Sequence, residues 1–104
     1  MDLSNQMLAG SNLTEARLNG SSLAGTDLGQ ADLTGANLIG ANMTSTRLEE
    51  AVLVSADLTG ATLVAADLTG ADLTDADLTN AINSSVRWAG TVCPDGSISD
   101  SACE

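Results

Sequence analysis

Apolar residues recur along this chain with a period of five. Leucine, or once methionine, stands at Leu3, Leu8, Leu13, Leu18, Leu23, Leu28, Leu33, Leu38, Met43, Leu48, Leu53, Leu58, Leu63, Leu68, Leu73 and Leu78. The residue two positions before each of these is usually small, as at Ala51, Ala61 and Ala71. The pattern therefore predicts two inward positions, one large and one small, in every five residues.

A period of five matches neither of the regular secondary structures. An α-helix advances about 100° per residue and would spread these leucines over all its faces, whereas a strand alternates with a period of two. The leucines can stack on one another only if the backbone turns a corner once in every five residues. Glycine at the fifth place, as at Gly60 and Gly70, supplies turn backbone at low steric cost. We therefore predict an architecture of stacked repeats.

The repeated unit is a small residue, Asp or Asn, Leu, Thr or Ser, and Gly, and it is most regular from Ala51 to Asn80. This motif resembles the pentapeptide-repeat family over roughly the first four-fifths of the chain. The resemblance implies an all-β fold, a right-handed quadrilateral parallel β-helix with four pentapeptides per coil and about four coils. The leucine pattern places the β-helix at residues 1–83, and the resemblance implies a bacterial source, with cyanobacteria favoured because the family is abundant there.

The repeat pattern decays after Leu78, because Asn83 stands where the next leucine is expected. Residues 84–104 are predicted to form a C-terminal cap, in which Trp88 covers the last coil, followed by a cysteine-bounded tail. Cys93 and Cys103 have no adjacent histidine or basic residue to activate a thiol, and their spacing fits no common metal-ligand pattern. We interpret them as a structural disulfide that stabilises the fold by about 2.5–3 kcal/mol.

A disulfide would place the protein in an oxidising compartment, which means the periplasm, the thylakoid lumen or the cell exterior. The first ten residues carry no basic flank or apolar segment of a secretory signal. Without the disulfide, or without a signal that has been removed, we expect a cytoplasmic protein.

The composition excludes several classes of function. Acidic residues outnumber basic ones by 14 to 3, for a formal net charge of -11, so we expect no direct nucleic-acid binding and no binding to anionic membranes. There is no histidine, no nucleophile–base pair and no phosphate-binding loop, so we predict no enzyme activity and no cofactor. We expect no metal site at Asp72, Asp75 and Asp77, because Asp72 and Asp77 lie on different sides of the predicted column. The predicted function is a non-catalytic structural or protein-interaction module whose partner the sequence does not identify.

Outward residues twenty positions apart are expected to stack in rows along the column. In one row Arg47 lies between Asp27 and Asp67, which predicts a ladder of ion pairs worth about 0–1 kcal/mol each. Acidic residues concentrate towards the C-terminal half and define a candidate acidic interaction surface: Asp57, Asp67, Asp72, Asp75 and Asp77.

That surface has two interpretations. Some pentapeptide-repeat proteins imitate DNA and occupy the DNA-binding saddle of type II topoisomerases, so the resemblance implies an alternative function as an acidic DNA mimic that binds and inhibits gyrase. The other interpretation is that aspartate suits the outward corner positions and keeps a leucine-filled rod in solution.

The N-terminal end of the column has no segment that resembles a cap. Leu3 and Leu8 begin the leucine column almost at once, so the first coil is expected to expose apolar surface. We therefore predict a homodimer that forms through the N-terminal coil.

Overall fold

The chain folds into a column of stacked coils that turns a corner every five residues. The structure is a computed structural model, and it describes residues 1–103. Parallel bridges join residues that lie twenty positions apart, from the pair of Asp2 and Ser22 to the pair of Asp72 and Val92. Four pentapeptides therefore make one coil, and each coil lies directly on the one before it.

Most of the backbone pairing consists of single bridges, because each side of a coil is only a few residues long. The described residues contain no helix and two short strands, β1 (Thr91–Val92) and β2 (Ile98–Ser99). These two strands pair in antiparallel fashion, with Thr91 opposite Ser99 and Val92 opposite Ile98.

Every corner has the same backbone geometry. The fifth residue of each pentapeptide has a positive φ from Asn5 to Gly90, near 60° where the residue is not glycine. The central residue of nearly every unit accepts a hydrogen bond from the N–H three positions later, as in Ala66 N to Leu63 O at 3.0 Å, and Asn83 is an exception. This hydrogen bond with a positive φ at the third residue of the turn is the signature of a type II turn.

Backbone hydrogen bonds between coils account for most of the polar groups of the repeat. In the unit from Ala56 to Gly60, the N–H of Leu58 donates to Asp77 O and that of Gly60 to Thr79 O in the next coil, both at 2.8 Å. The N–H of Asp57 donates to Ala36 O in the previous coil at 3.0 Å. With the turn hydrogen bond, four of the five N–H groups have backbone acceptors, and only that of the fourth residue has none.

A polar side chain satisfies the remaining N–H group. In that same unit the Thr59 N–H donates to Oδ1 of Asp57 at 3.0 Å. Ten units make this contact, and their acceptors are Asp2, Asn12, Asp27, Asp32, Asn37, Asn42, Asp57, Asp67, Asp72 and Asp77. The unit that carries Val92 before its centre has Pro94 in the fourth place, and proline has no N–H to satisfy.

The core is a stack of leucines and alanines that fills the column. The central side chains from Leu23 to Leu73 are at most 1% exposed. Three buried threonines also point inward, and each donates from Oγ1 to a carbonyl of the preceding coil, as Thr46 does to Leu23 O at 2.8 Å. Within residues 1–103 no buried side-chain nitrogen or oxygen lacks a hydrogen-bond partner.

The coil continues beyond the boundary that the leucine pattern predicts at residue 83. Parallel bridges pair Thr62 with Ile82 and Asp67 with Arg87, so the pentapeptide geometry persists into β1. The pairing between coils therefore extends past residue 83, because the hydrogen bonds between coils use backbone atoms and do not require a leucine. Trp88 lies at an inward central position with 5% exposure, and it is the last described side chain in the column of Leu68.

The tail folds back over part of the C-terminal end. After a turn at Gly96, β2 pairs with β1, and the chain returns so that Cys103 bonds to Cys93 with an S–S distance of 2.05 Å. Cys93 occupies an inward central position above Leu73, and both cysteines are buried. The predicted disulfide is therefore present, and it ties the tail to the column.

Ala65 tests the corner geometry. It is an exposed non-glycine residue at a corner, with φ of 60°, and a left-handed conformation is strained for any residue with a Cβ. We expect Ala65→Gly to stabilise the fold by about 0.5–1 kcal/mol, which raises Tm by about 2–6 °C. Ala89 is the matched control, because it is exposed, precedes a corner and has no positive φ. Ala89→Gly should lower Tm, and equal shifts of both variants in thermal melts followed by circular dichroism would contradict this account.

Candidate interaction surface

The outward side chains lie on four faces, which we number in chain order. Face 1 carries residues 1–5, 21–25, 41–45, 61–65 and 81–85; face 2 carries 6–10, 26–30, 46–50, 66–70 and 86–90. Face 3 carries 11–15, 31–35, 51–55, 71–75 and 91–95; face 4 carries 16–20, 36–40, 56–60 and 76–80. Each candidate surface residue lies on one of these faces or at the corner between two of them.

The five acidic candidates do not form one flat patch. Asp57 and Asp77 are bridge partners on face 4, whereas Asp67 lies on face 2 and Asp72 on face 3. Asp75 is exposed at the corner between faces 3 and 4. The structure therefore brings Asp57, Asp75 and Asp77 to one side of the column and separates Asp67 from them.

Four of these carboxylates are held by hydrogen bonds within their own pentapeptides. Oδ1 of Asp72 accepts the N–H of Thr74 at 3.0 Å and its hydroxyl at 2.6 Å. Asp57, Asp67 and Asp77 make the same two contacts to the threonine two residues later. These side chains therefore have a local structural role, and their carboxylate orientation is defined before any partner binds.

The hydrogen bonds also favour the ionised carboxylates. Donation from the hydroxyl and then the N–H of Thr79 lowers the pKa of Asp77, and Thr34 lowers the pKa of Asp32 in the same way. For Asp67 burial is the largest single influence and would raise the pKa, but the hydrogen bonds from Thr69 together outweigh it, so the pKa is lowered. Each of these side chains is therefore charged at neutral pH.

The predicted ion pairs around Arg47 are not formed. The ion pair found among residues 1–103 joins Arg87 Nη1 to Asp67 Oδ2 at 3.8 Å, one coil further along the same row. Arg87 lies in the segment predicted to form the cap, so the pattern of repeats does not pair it with Asp67. The Arg87 side chain is 77% exposed, so this pair contributes at most about 1 kcal/mol.

A cluster on face 2 was not predicted from the sequence. The carboxylate of Glu49 lies near those of Asp27 and Asp67, and burial, followed by the charge of Asp67, raises the pKa of Glu49. Glu49 is the fourth residue of its unit, where threonine is usual, and this departure from the motif was the signal available in the sequence. The cluster is a local concentration of acid beside Arg47 rather than a convergent binding site.

Face 1 is free of charge over most of its height. From residue 21 onward its four units read SSLAG, ANMTS, ATLVA and AINSS, without an acidic or basic residue. The charge of the column is thus confined to three sides, with Asp2 the one charged side chain on face 1.

The two larger concave features lie at the C-terminal end of the column, and a smaller one of about 230 Å³ lies on face 2 beside Asp27 and Glu49. An open cavity of about 590 Å³ is lined by residues of the unit from Ala76 to Thr79 together with Asp75, Asn83, Pro94 and Cys103. A second, of about 430 Å³, lies within the tail loop. Within the described chain no three His, Cys, Asp or Glu side chains are grouped closely enough to hold a metal ion, and no helix there could cross a membrane.

At the N-terminal end the first coil is incompletely covered. Leu3, Leu8 and Leu13 are only partly buried, whereas their equivalents one coil later are fully buried. Met1 and Met7, beside them, are 77% and 88% exposed. The expected apolar surface is therefore present at this end.

Coils of four pentapeptides with inward leucines define a right-handed β-helix of four-sided cross-section. A family model described as pentapeptide repeats matches residues 2–35, 11–49 and 46–82. The chain therefore belongs to the pentapeptide-repeat family. Proteins of this family are generally non-catalytic structural modules.

Solved structures of similar proteins have the same fold. HetL, a pentapeptide repeat protein involved in heterocyst differentiation regulation from the cyanobacterium Nostoc sp. strain PCC 7120, is 37% identical with a TM-score of 0.91 over 94% of this chain. Rfr23 from the cyanobacterium Cyanothece 51142 is 30% identical over 82% of the chain, with a TM-score of 0.81. A pentapeptide repeat protein from the Arabidopsis thaliana thylakoid lumen is 28% identical over 93% of the chain and 71% of its own length, with a TM-score of 0.69.

The chain spans 47% of the length of HetL and 58% of that of Rfr23. A comparison with curated proteins finds no match to it.

The hydrogen-bonded aspartates predict that acid destabilises the fold. Because the folded-state pKa of Asp32 and of Asp77 lies below the ordinary 3.8, their contribution is present above that pH and is lost as pH decreases through the folded-state pKa. Glu49 acts in the opposite direction, since its pKa is raised above 4.5. We expect Tm to be constant near neutrality and to decrease below about pH 4.

The control is a double variant, Asp32→Asn and Asp77→Asn. The asparagine oxygen can still accept the threonine N–H, as that of Asn42 does at 3.1 Å, but it does not titrate. Its Tm should therefore decrease less on acidification than that of the wild type, and identical pH profiles would show that these two carboxylates are not responsible.

Proposed function

We propose that this chain is a non-catalytic module that binds another protein through the acidic interaction surface in its C-terminal half. The single observation that supports this is a set of four carboxylates in the C-terminal half of the column that are held by hydrogen bonds within their own pentapeptides, namely Asp57, Asp67, Asp72 and Asp77. A carboxylate fixed before binding loses little conformational entropy when a partner approaches, so its charge is available for recognition at low cost.

The free carboxylate oxygen is the group that would contact the partner. Oδ1 of Asp57 and of Asp77 is occupied by threonine, which leaves Oδ2 for a cation. Arg87 illustrates this arrangement within the chain, because it approaches Oδ2 of Asp67 while Thr69 holds Oδ1. A partner with arginine or lysine side chains spaced by one coil, about 4.8 Å, would match Asp57 and Asp77.

The proposed partner is a protein rather than a nucleic acid or a membrane. Both of those surfaces carry negative charge, and a chain with a net charge of -11 is repelled by them. The disulfide supports an oxidising location, and the similarity to a lumenal protein agrees with that. The similarity to HetL, which is involved in regulation, supports a binding role rather than a catalytic one.

The alternative, a DNA mimic that inhibits gyrase, is supported by the amount of negative charge but not by its distribution. B-DNA carries about one charge per 1.7 Å on all sides of its axis. Here face 1 is uncharged from residue 21 onward, and the longest extent of the molecule is 32 Å. Because one face of the column is uncharged, binding of a basic protein to the acidic faces fits this charge distribution better than imitation of the DNA duplex.

The test removes charge without removing the backbone hydrogen bonds. In one variant Asp57, Asp67, Asp72 and Asp77 become asparagine; in the matched control Asp2, Asp27, Asp32 and Asp100 do. We expect partners captured from a cyanobacterial lysate to bind the first variant about tenfold more weakly, or about 1.4 kcal/mol, and to bind the control almost as the wild type does. Equal losses in both variants would show that only net charge matters.

The same proteins distinguish the alternative function. The interaction role predicts that the wild type leaves DNA supercoiling by gyrase unchanged at tens of micromolar. Inhibition by the wild type that is lost in the first variant would instead support the DNA mimic.

We also propose that two copies associate through the N-terminal coil around Leu3 and Leu8. The partly exposed leucines and the adjacent Met1 and Met7 supply the apolar contact. The two shorter extents of the molecule, 24 and 19 Å, give an end area of about 450 Å² on each copy. The total of about 900 Å² is below the 1,200 Å² of stable complexes, so the dimer should be weak.

Leu8 tests this association. We expect light scattering to detect a dimer at high protein concentration, and Leu8→Asp to remain monomeric because it places a charge in the apolar contact. Leu78→Asp is the control, since Leu78 is also partly buried but lies at the opposite end; it should still dimerise. A wild type that is monomeric at millimolar concentration would disprove the N-terminal dimer.

A further inference from the structure

The C-terminal end is left open at the edge formed by residues 76–80 on face 4, and within residues 1–103 the adjoining edge of residues 81–85 on face 1 is open as well. In the coil below, the equivalent unit donates from Leu58 and Gly60 to the next coil and accepts from it at Ala56 O. The corresponding groups of the last coil are the N–H of Leu78, the N–H of Asn80 and the carbonyl of Ala76. None of these three has a hydrogen-bond partner within residues 1–103.

The tail covers the edges of faces 3 and 2. On face 3 the N–H of Cys93 donates to Ser97 O at 2.7 Å, and β2 lies along β1. On face 2 the N–H of Gly90 donates to Asp100 Oδ1 at 2.8 Å. The chain thus adds a strand of its own to one edge and leaves the face 4 edge open, and an unpaired strand edge is a template for an added strand.

A cavity lies directly beside this open edge. It measures about 590 Å³ and is lined by Ala76, Leu78, Asn83, Pro94 and Cys103, with Asp75 and Asp77 at its rim. This volume falls within the range of roughly 300–1,000 Å³ for sites that bind ligands. Leu78 is only partly buried there, whereas Leu38 and Leu58 below it are at most 1% exposed, so an apolar side chain is missing above it.

We propose that this edge binds an extended segment of a partner protein as an added strand, with a small, a basic and an apolar residue in succession. The backbone of the segment would accept from the N–H groups of Leu78 and Asn80 and donate to the carbonyl of Ala76, as Asp77 and Thr79 do towards the coil below them. Strand addition of this kind takes its affinity from main-chain hydrogen bonds and its specificity from alternate side chains.

The geometry of the column assigns each side chain of the segment. The small residue lies above Ala76 and the apolar residue fills the cavity above Leu78. The basic residue lies above Asp77 on face 4. Its contact with Asp77 would be equivalent to that of Arg87 with Asp67, which lies one coil below Arg87 on face 2. Asp57, Asp75 and Asp77 make this corner acidic, which favours a basic residue there.

A second copy of this chain does not fit this edge in the stacked register. Its unit from Ala16 to Gly20 has the required order, small, basic and apolar. Stacked residues lie twenty positions apart, so residues 16–20 of a copy placed on residues 76–80 would take the place of a unit at positions 96–100. Residues 1–15 of the copy would then overlap with residues 81–95 of the first chain. A flexible segment of another protein avoids that overlap.

The test uses a synthetic peptide with Ala-Arg-Leu-Asn-Gly, the sequence of residues 16–20, flanked by glycines and carrying a fluorescent label. We expect saturable binding to the full chain by fluorescence anisotropy, and shifts of the Leu78 and Asn80 amide signals in NMR spectra. A peptide with glutamate for arginine, and one with aspartate for leucine, should bind at least about threefold more weakly, as loss of an exposed ion pair or an apolar contact implies.

Two protein variants separate the proposed contact from general electrostatics. Asp77→Asn should weaken binding of the arginine peptide by about three- to fivefold and leave the peptide with glutamine for arginine unaffected. Asp32→Asn removes the same charge from an aspartate with the same hydrogen bonds on face 3, and it should leave both affinities unchanged.

Several results would overturn the proposal. One is binding that does not saturate at millimolar peptide, and another is amide shifts that fall outside residues 75–83. A third is an equal loss of peptide affinity in both protein variants. Shifts of Leu78 and Asn80 that depend on protein concentration without peptide would identify a second copy as the occupant. The proposal rests on the interaction role proposed above. If the protein captures partners from the lysate but does not bind the peptide, the strand-addition site is disproved and the interaction role is not.

Discussion

The fold depends on one constraint, which is that every N–H group in a chain that turns each five residues needs an acceptor. In the interior coils, four N–H groups of a pentapeptide reach backbone carbonyls in the turn or in the adjacent coils. The fifth has no backbone acceptor, and in ten units a side-chain oxygen of Asp or Asn accepts it at 2.9–3.1 Å. Because an unsatisfied N–H is costly wherever water is excluded, the motif favours Asp or Asn at this outward position, although units with Met7, Arg47 or Val52 there fold without the contact.

This constraint changes how the acidity of the protein is interpreted. An aspartate such as Asp72 is first a turn-stabilising residue, and asparagine at Asn42 makes the same contact without a charge. Charge is therefore an addition to a structural role, and its position on the column is the feature that can carry function. The distribution is uneven, with face 1 uncharged from residue 21 and acid on the other three sides. Face 1 therefore differs in charge from the other three sides of the column.

The two ends of the column differ in the same physical terms. Repeats satisfy their neighbours, so the first and last coils retain unpaired groups and partly exposed leucines. At the C-terminal end the disulfide holds the tail over faces 2 and 3, while the edge at Leu78 remains uncovered. At the N-terminal end Leu3 and Leu8 are only partly buried. The coil-to-coil hydrogen bonds are complete in the interior of the column, and the ends are where unpaired strand edges remain.

The sequence by itself determined the coil, because a leucine every five residues can be buried only if the chain turns at that interval, and it also indicated the disulfide and the stacked rows. Tertiary structure decided how far the coil extends, since hydrogen bonds between coils carry it past Asn83 without a leucine. It also decided that the ion pair forms at Arg87 and not Arg47, and that Glu49 lies beside Asp67. The period of the chain sets which residues share a face, but side-chain direction and the path of the tail depend on contacts between residues far apart in sequence. Those contacts exist only in the folded column.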